Sequence, residues 1–462
     1  MDSKTAFQTQ DLPAPASHVP KPAPRKRCSK GRRLLRVVGL SALMVWIGAR
    51  YFSETSRFSH WQQTTISDLE WPFPPDVEVV KCAQWSDNDG SDAFYDKDYP
   101  YSADASFKLP VSSDTLFLLS RSVARNHGGV ISAGEVEYIQ SDDVSDNVKV
   151  DITARYRDQE YLDATKVCLL TRDGDQNGVG IFTKWEGKGR QRGHTLQFKV
   201  TVTFPSTDDG SPLSISNLQT DLEIFAQKFG DMSGVEFKAM SLKSVLAPIL
   251  ADYLSVEDAK FTTTLAPVNI QALVAERADV VTSLGSIEGT YNASKSLTLT
   301  TSNAPIKVNV NLFNDDDDDV VRLQLLDSNG PIEGNISLFS TLDASAFDVS
   351  ARTANARLAL DVLAAPVDAN IAVRAATSLG AASVKLPTTY EGSISATTSL
   401  GSVKVKFDTE TADPSGAGRT RIGRVEQVRR NMVRGRVGWS EAGLSRGVVD
   451  VTTSLASVDL EV

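Results

Sequence analysis

Thr282-Ser283-Leu284-Gly285-Ser286-Ile287 returns as Thr398-Ser399-Leu400-Gly401-Ser402-Val403 and as Thr453-Ser454-Leu455-Ala456-Ser457-Val458. The same form, a small-residue pair, a turn, then apolar-x-apolar, recurs at Thr301-Ser302-Asn303-Ala304-Pro305-Ile306, Asp327-Ser328-Asn329-Gly330-Pro331-Ile332 and Thr377-Ser378-Leu379-Gly380. Degenerate copies sit at Ser241, Thr264 and Ala354. The anchors 241, 264, 283, 302, 328, 354, 378, 399 and 454 are separated by 23, 19, 19, 26, 26, 24, 21 and 55 residues. Four residues after each anchor stand Val245, Val268, Ile287, Ile306, Ile332, Leu358, Ala382, Val403 and Val458. All but Ala382 are β-branched or Leu, which makes this a register and not an accident of composition. Each copy then alternates onward, as in Ile306-x-Val308-x-Val310, the period of a half-buried strand. One such strand cannot bury its face alone, but a stack can, so residues 235–462 are expected to form a β-solenoid or β-helix of 19–26-residue coils. Ser, Thr, Asn and Gly in the phrase would supply small side chains and positive φ for a tight corner. An ordinary sandwich is the competing architecture. Ser241–Lys260 would suit a helix but for Pro248 within it.

Upstream, apolar residues alternate in Ser106–Leu109, Thr115–Leu119, Val148–Ala154, Leu196–Val202 and Leu222–Phe225. Val167–Thr171 and Val179–Trp185 flank Asp173-Gly174-Asp175-Gln176-Asn177-Gly178, which reads as a hairpin with an Asn-Gly turn. Residues 76–234 are therefore expected to be an antiparallel, sandwich-like β domain. The whole body is all-β in this reading.

Two of the irregular gaps mark insertions. Asn314 with Asp315–Asp319 lengthens one repeat, and residues 409–447 fill the longest gap. The latter insertion carries Arg419, Arg421, Arg424, Arg429, Arg430, Arg434, Arg436 and Arg446 against Glu426 and Glu441 between Gly416 and Gly447. It is expected to loop out with its arginines in solvent, leaving Ser415–Asn431 dispensable for folding. Met432–Trp439 within it resembles an edge strand or hairpin. Its positive patch would attract anionic polysaccharide, anionic lipid or the chain's own acidic surface.

The front of the 462-residue chain is different in kind. Residues 1–33 are polar and proline-bearing, a composition that does not repay ordering. Residues 34–52 hold an uncharged apolar core from Val37 to Ala49, preceded by Arg25, Lys26, Arg27, Lys30, Arg32, Arg33 and Arg36. This reads as a signal anchor that keeps its basic side in the cytoplasm, with a cleaved signal peptide and a buried helix as alternatives. Residues 53–75, ending Trp71-Pro72-Phe73-Pro74-Pro75, form the expected stalk. With ten Lys/Arg against two Asp, residues 1–50 carry +8, which leaves −18 on the rest of a chain of net charge −10. A single-pass protein with a lumenal or extracellular body follows. In that body Asn292 and Asn335 head Asn-x-Ser sequons. Cys82 and Cys168 are the cysteines that would share the oxidising side, to pair or to remain separate thiols.

These features together resemble fungal membrane-anchored proteins of unassigned function, whose repeat portion resembles bacterial adhesin-type β-solenoid families. The resemblance rests on the anchor, the Thr-Ser-Leu-Gly-x-Val phrase and the Arg/Gly insertion ending in Gly-x-Val-x-Trp. It implies a fold and carries no catalytic residues.

Chemistry is sparse along the chain. Gly443-Leu444-Ser445-Arg446-Gly447 has the spacing of a nucleophile elbow, yet a strand follows it and no His lies beyond His194. His18, His60, His127 and His194 have no zinc-ligand spacing. Asp173, Asp175 and Asn177 match the first half of a calcium loop, but Lys184 takes the place of its final Glu. The Asp315–Asp319 run reads as a solvated insertion. No cofactor is expected, and the inferred location makes nucleic acid an unsuitable partner. The leading expectation is a non-enzymatic, adhesin-like or structural surface protein. The alternatives are a glycan-processing β-helix enzyme, lyase or hydrolase, and a lumenal assembly factor.

Overall fold

In the strand Ile306–Phe313, Ile306, Val308, Val310 and Leu312 are buried while Lys307 and Asn309 are exposed, the alternation of a strand with one face in a core. The computed structural model describes residues 71–87, 99–124, 132–185, 196–316, 319–342, 345–408 and 410–462. The expected tail 1–33, the anchor 34–52 and the stalk up to residue 70 lie outside them. Among the described residues no helix is long and apolar enough to cross a membrane. The described chain is all-β apart from the short helix Gln159–Asp163 and one 3-10 turn at Gly443–Ser445.

Hydrogen bonding joins the strands into two long ladders. The first passes through Tyr101–Pro110, Asn147–Tyr156, Leu196–Ser206, Ala133–Val144 and the front half of Phe225–Lys243. It continues in parallel through Ile249–Thr262, Val268–Val281, Ile287–Thr300, Ile306–Phe313, Ile332–Phe339 and Leu358–Ala364. Ala382–Lys385, Val458–Glu461 and Val403–Lys406 follow. The second ladder begins with Glu78–Cys82, Thr165–Arg172, Gln176–Trp185, Thr115–Ala124 and Leu213–Asp221. The rear halves of the long strands extend it to Val320–Leu326, Ala346–Arg352 and Asn370–Ala376. Gly447–Thr453, Gly392–Thr398, Met432–Gly438 and Ile422–Arg429 complete it. Buried side chains from both ladders belong to one continuous core cluster.

The upstream region differs from the antiparallel expectation. Thr115–Ala124 runs parallel to Gln176–Trp185, and Ala133–Val144 runs parallel to Leu196–Ser206. Alternation marks a half-buried strand whatever its direction, so the pattern held no information on that point. The strand Phe225–Lys243 runs through the expected 234/235 boundary and pairs on both sides of it. Leu222 and Glu223 fall in the connection before that strand and not in a strand of their own. The hairpin turn is also displaced. Arg172 faces Gln176, so Asp173–Asp175 make the loop, with Gly174 and Asp175 at φ 80 and 53. Asn177 and Gly178 lie in the following strand.

In the repeats, Ile249, Val268, Ile287, Ile306, Ile332, Leu358, Ala382, Val458 and Val403 form one buried or near-buried column by direct register. Burying each large member contributes about 1.5–3 kcal/mol. The first copy therefore has its anchor at Val245 and not at Ser241, its phrase beginning at Ser244. Ser244-Val245-Leu246-Ala247-Pro248 aligns with Thr263-Thr264-Leu265-Ala266-Pro267, and Ile249 takes the inward place that Val245 was expected to hold.

From Thr301 onward every turn but that of Asp327 is locked to a neighbour by a buried hydroxyl, while Ser244 and Thr263 bond within their own turns. Thr301 Oγ1 donates to the Gly285 carbonyl at 3.2 Å, Thr353 to Gly330 at 3.0 Å, and Thr377 to Ala356 at 3.0 Å. Thr453 donates to Gly380 at 2.9 Å and Thr398 to Ala456 at 2.9 Å. Each bond is worth about 1 kcal/mol, and its loss would leave a buried carbonyl one partner short. The glycines of the phrase are required by closeness and not by positive φ. A Cβ on Gly380 would lie 1.7 Å from the Ala356 carbonyl oxygen, and one on Gly285 would lie 1.9 Å from that of Ala266.

Asp327 stands where the other turns have Thr or Ser, and is 5% exposed. Its Oδ1 accepts the Asn329 and Gly330 amides at 3.0 Å each, while its buried Oδ2 has no hydrogen-bond partner. Burial pushes its carboxyl above the ordinary carboxylate value, against the amide bonds that draw it down. A raised folded-state value means stability that is full at acid pH and is lost as pH rises through that value. Asp327→Thr should therefore stabilise the fold by about 1 kcal/mol at pH 7.5. The gain in melting temperature over wild type should shrink at pH 4, as thermal unfolding at the two pH values would show.

Candidate functional site

The outward side chains of the first ladder make a periodic polar surface. Register places Lys307, Glu333, Ala359, Ser383, Asp459 and Lys404 in one row. Asn309, Asn335, Asp361, Lys385, Glu461 and Lys406 form the next. Members of a row are one strand spacing apart, about 4.8 Å. The later residues of both rows, with Arg357, line an open groove of about 610 Å³. Lys406 Nζ lies 3.0 Å from Glu461 Oε1. Their shared hydrogen bond, and then their opposite charges, push the Lys406 ammonium up and hold the Glu461 carboxyl below the ordinary value. Similar stacked pairs lie elsewhere, Arg277 with Asp258 at 3.1 Å and Arg374 with Asp348 at 2.7 Å. Solvent screens exposed pairs of this kind, so they set a charge pattern more than they hold the fold.

The residues singled out in the sequence are scattered. Asn335 is exposed in the groove, its Nδ2 donating to Asn309 Oδ1 at 3.0 Å. Asn292 is half-buried in its strand, donating to the Leu273 carbonyl and accepting from Asn311 Nδ2 at 2.7 Å. Cys82 and Cys168 face each other across antiparallel strands and are joined by a disulfide. Asp173, Asp175 and Asn177 share a hairpin tip, where the Asn177 amide donates to Asp175 Oδ1 at 3.1 Å and to Ser113 Oγ at 3.0 Å. Asp315 Oδ1 accepts the Thr341 hydroxyl at 3.0 Å. Ser445 sits in the 3-10 turn, its hydroxyl on the Ala442 carbonyl at 3.1 Å. His127 and His194 lie outside the described residues.

The arginine insertion does not loop out. Its strand Met432–Gly438 pairs antiparallel with Gly392–Thr397, and Ile422–Arg429 adds outside it, so the insertion caps one end of the second ladder. Val433, Val437 and Trp439 are buried. Trp439 Nε1 donates to the Thr388 carbonyl at 3.0 Å, and its backbone amide donates to the buried Glu391 carboxylate, which Arg446 pairs. Arg421 is 4% exposed, against expectation. Its guanidinium lies 5.7 Å from the Trp439 ring centre and donates to the Asp408 carbonyl at 2.9 Å. The ring and that carbonyl are the partners that the flanking sequence did not reveal. Arg419 forks onto Asp413 through two 3.0 Å bonds, which hold the Asp413 carboxyl well below the usual range. Arg424 pairs with Glu441, and Arg436 with Glu426 at 2.8 Å. Among the described residues Arg429, Arg430 and Arg434 are exposed and make no ion pair.

Sequence reasoning passed over the groove residues, although a signal existed. Lys385, Lys404, Lys406, Asp459 and Glu461 stand one and three places after column residues, a pattern visible once the repeats are aligned.

No family model matches the chain, and no curated protein matches it. Among solved structures it is similar to a protein of Bacteroides fragilis provisionally named an adhesin, at 10% identity over 78% of this chain and 96% of that one, with a TM-score of 0.26. A provisionally named adhesin of Parabacteroides distasonis matches at 13% identity over 78% and 97%, with a TM-score of 0.25. A provisionally named cell adhesion protein of Clostridium sporogenes matches at 8% over 78% and 99%, with a TM-score of 0.15.

Trp439→Ala should cost about 3 kcal/mol, the usual price of emptying a buried Trp site. Deleting Ser415–Asn431 should also lower the denaturation midpoint, because it removes Arg421 and the outer strand. Denaturant unfolding of both variants checks this; midpoints equal to wild type would return the insertion to the status of a loop.

Proposed function

We propose that this chain is a membrane-anchored, non-enzymatic adhesin-like protein whose β body is a solenoid displaying its groove to an extended polar partner. The observation that carries the reading is the groove itself. Lysines, carboxylates and Asn335 alternate there at strand spacing on an open surface. Evenly spaced donors and acceptors of both signs suit a polymer with a short repeat, such as a cell-wall or other anionic polysaccharide. The parallel ladders with 19- and 26-residue offsets support the solenoid. The Cys82–Cys168 bridge supports an oxidising location beyond the segment 34–52. The arginine cap offers a second contact for anions through Arg429, Arg430 and Arg434.

The glycan-processing alternative draws on the same groove, because carboxylates and lysines share it. A general acid needs a carboxyl held above its ordinary value. Glu461 is shifted the other way by its hydrogen bond and ion pair with Lys406, so it does not meet that need.

The full-length protein in lipid nanodiscs should bind acidic glycans on an array and release no sugar from them. Lys385→Gln, Lys404→Gln and Lys406→Gln combined should weaken that binding several-fold and reduce its sensitivity to salt. Asn335→Gln protein from a glycosylating host should bind at least as well as wild type, because a glycan at that position would stand in the groove. Sugar release at a measurable rate would replace the adhesin reading with the enzymatic one. Undiminished binding by the triple variant would move the site off the groove.

A further inference from the structure

Sequence neighbours are ladder neighbours throughout the repeats up to Asn370–Ala376 and Ala382–Lys385. There the order breaks. Asn370–Ala376 pairs with Gly447–Thr453, which in turn pairs with Gly392–Thr398. Ala382–Lys385 pairs with Val458–Glu461, which in turn pairs with Val403–Lys406. The repeat 447–462 is thus wedged between two repeats adjacent in sequence. The turn locks follow the same order, Thr453 to Gly380 and Thr398 to Ala456. The connection 386–391 is as long as 340–345, which serves a rise of one strand spacing, yet the chain around 386–391 rises by two.

The wedged repeat is built to fill a slot. Val449, Val451, Val458, Leu460 and Val462 are all at most 2% exposed, and backbone bonds are made on both of its edges. Its covalent link to the repeats on either side is the long excursion through residues 407–446. Nothing in its pairing depends on belonging to the same chain, which is the condition for exchange of an element between copies. The tether favours the chain's own repeat through effective concentration, and through the packing of Trp439 and Arg446 on Thr388, Glu391 and Asp368.

We propose that the slot between residues 370–385 and 392–406 is a strand-acceptor site that also takes residues 447–462 of a second copy, giving exchanged dimers. Opening frees a repeat with an apolar face, and an equivalent slot on another copy is the surface that matches it in register, pattern and turn lock.

Disulfide trapping reads the exchange directly. Ser395 and Asp450 are register partners across the slot, and both face away from the core. In full-length protein with Cys28→Ser, one preparation carries Ser395→Cys and another carries Asp450→Cys. The two are mixed, refolded together from denaturant at high concentration and oxidised with copper phenanthroline. The expected result is a covalent dimer near twice 49.9 kDa in the mixture and not in either preparation alone. A double variant in one chain, refolded dilute, should cross-link within the monomer. Mixtures that stay monomeric while the double variant cross-links internally would overturn the proposal. So would failure of both, because the slot would then not be filled as described. Ser383→Cys with Asp459→Cys, partners on the other ladder, repeats the test should the first pair prevent folding.

Discussion

A buried hydroxyl reaching from one turn to the carbonyl of the preceding repeat in the ladder holds this architecture in register. Side chains alternate on a strand, so a slip of one residue would turn every apolar column toward solvent. The columns alone would tolerate a slip of two. Thr301, Thr353, Thr377, Thr398 and Thr453 remove that freedom, because each finds its acceptor only when turns stack directly. The glycines follow from the same constraint, since Gly285 and Gly380 let neighbouring turns approach where a Cβ would collide. Asp327 shows what an exception involves: it keeps the amide bonds to its own turn but leaves one buried oxygen without a partner.

Register, once set, determines the surface. Outward residues of successive repeats stand in rows, so any charge pattern in the sequence is printed at strand spacing along the ladder. The groove lysines and carboxylates are one such row pair, and Asn303, Asn329 and Asn355 make another at the turns, with side-chain amides bonded from one repeat to the next. A parallel ladder also has ends, and an uncovered end is a hazard. The arginine hairpin covers one of them. The register shift between Val425 and Gln427 and the exposed Arg424 and Arg429 make its outer edge a poor template for further pairing.

The repeat phrase was legible because stacking demands the same residue type at the same place nine times. The degenerate first copy was misplaced by four residues because Val245 is as apolar as the true column residue Ile249 and the turn carries Ser244 in place of Thr. Strand direction upstream was illegible, since Thr115–Ala124 alternates identically whether its partner runs with it or against it. The wedged repeat could not be foreseen either: 392–406 and 447–462 carry equivalent phrases, and sequence cannot rank two equivalent neighbours. At the site, Asn335 was legible as a sequon, whereas Arg421 was taken for a surface charge because Trp439 and the Asp408 carbonyl are distant from it in sequence. The disulfide partners stood out in the sequence through scarcity, but their facing positions came only from the pairing of Glu78–Cys82 with Thr165–Arg172.

Distances between spin labels at the turns test the direct stacking on which the whole account rests. Leu284, Leu379 and Leu400 are exposed at the same turn position, and the backbone bonds from turn to turn order them as 284, 303, 329, 355, 379, 455 and 400. With Cys28→Ser, labels on Leu284→Cys with Leu379→Cys should lie roughly four strand spacings apart, about 19 Å between backbones. Labels on Leu284→Cys with Leu400→Cys should lie roughly six apart, about 29 Å. Distances that do not lengthen by one spacing per repeat would contradict the account.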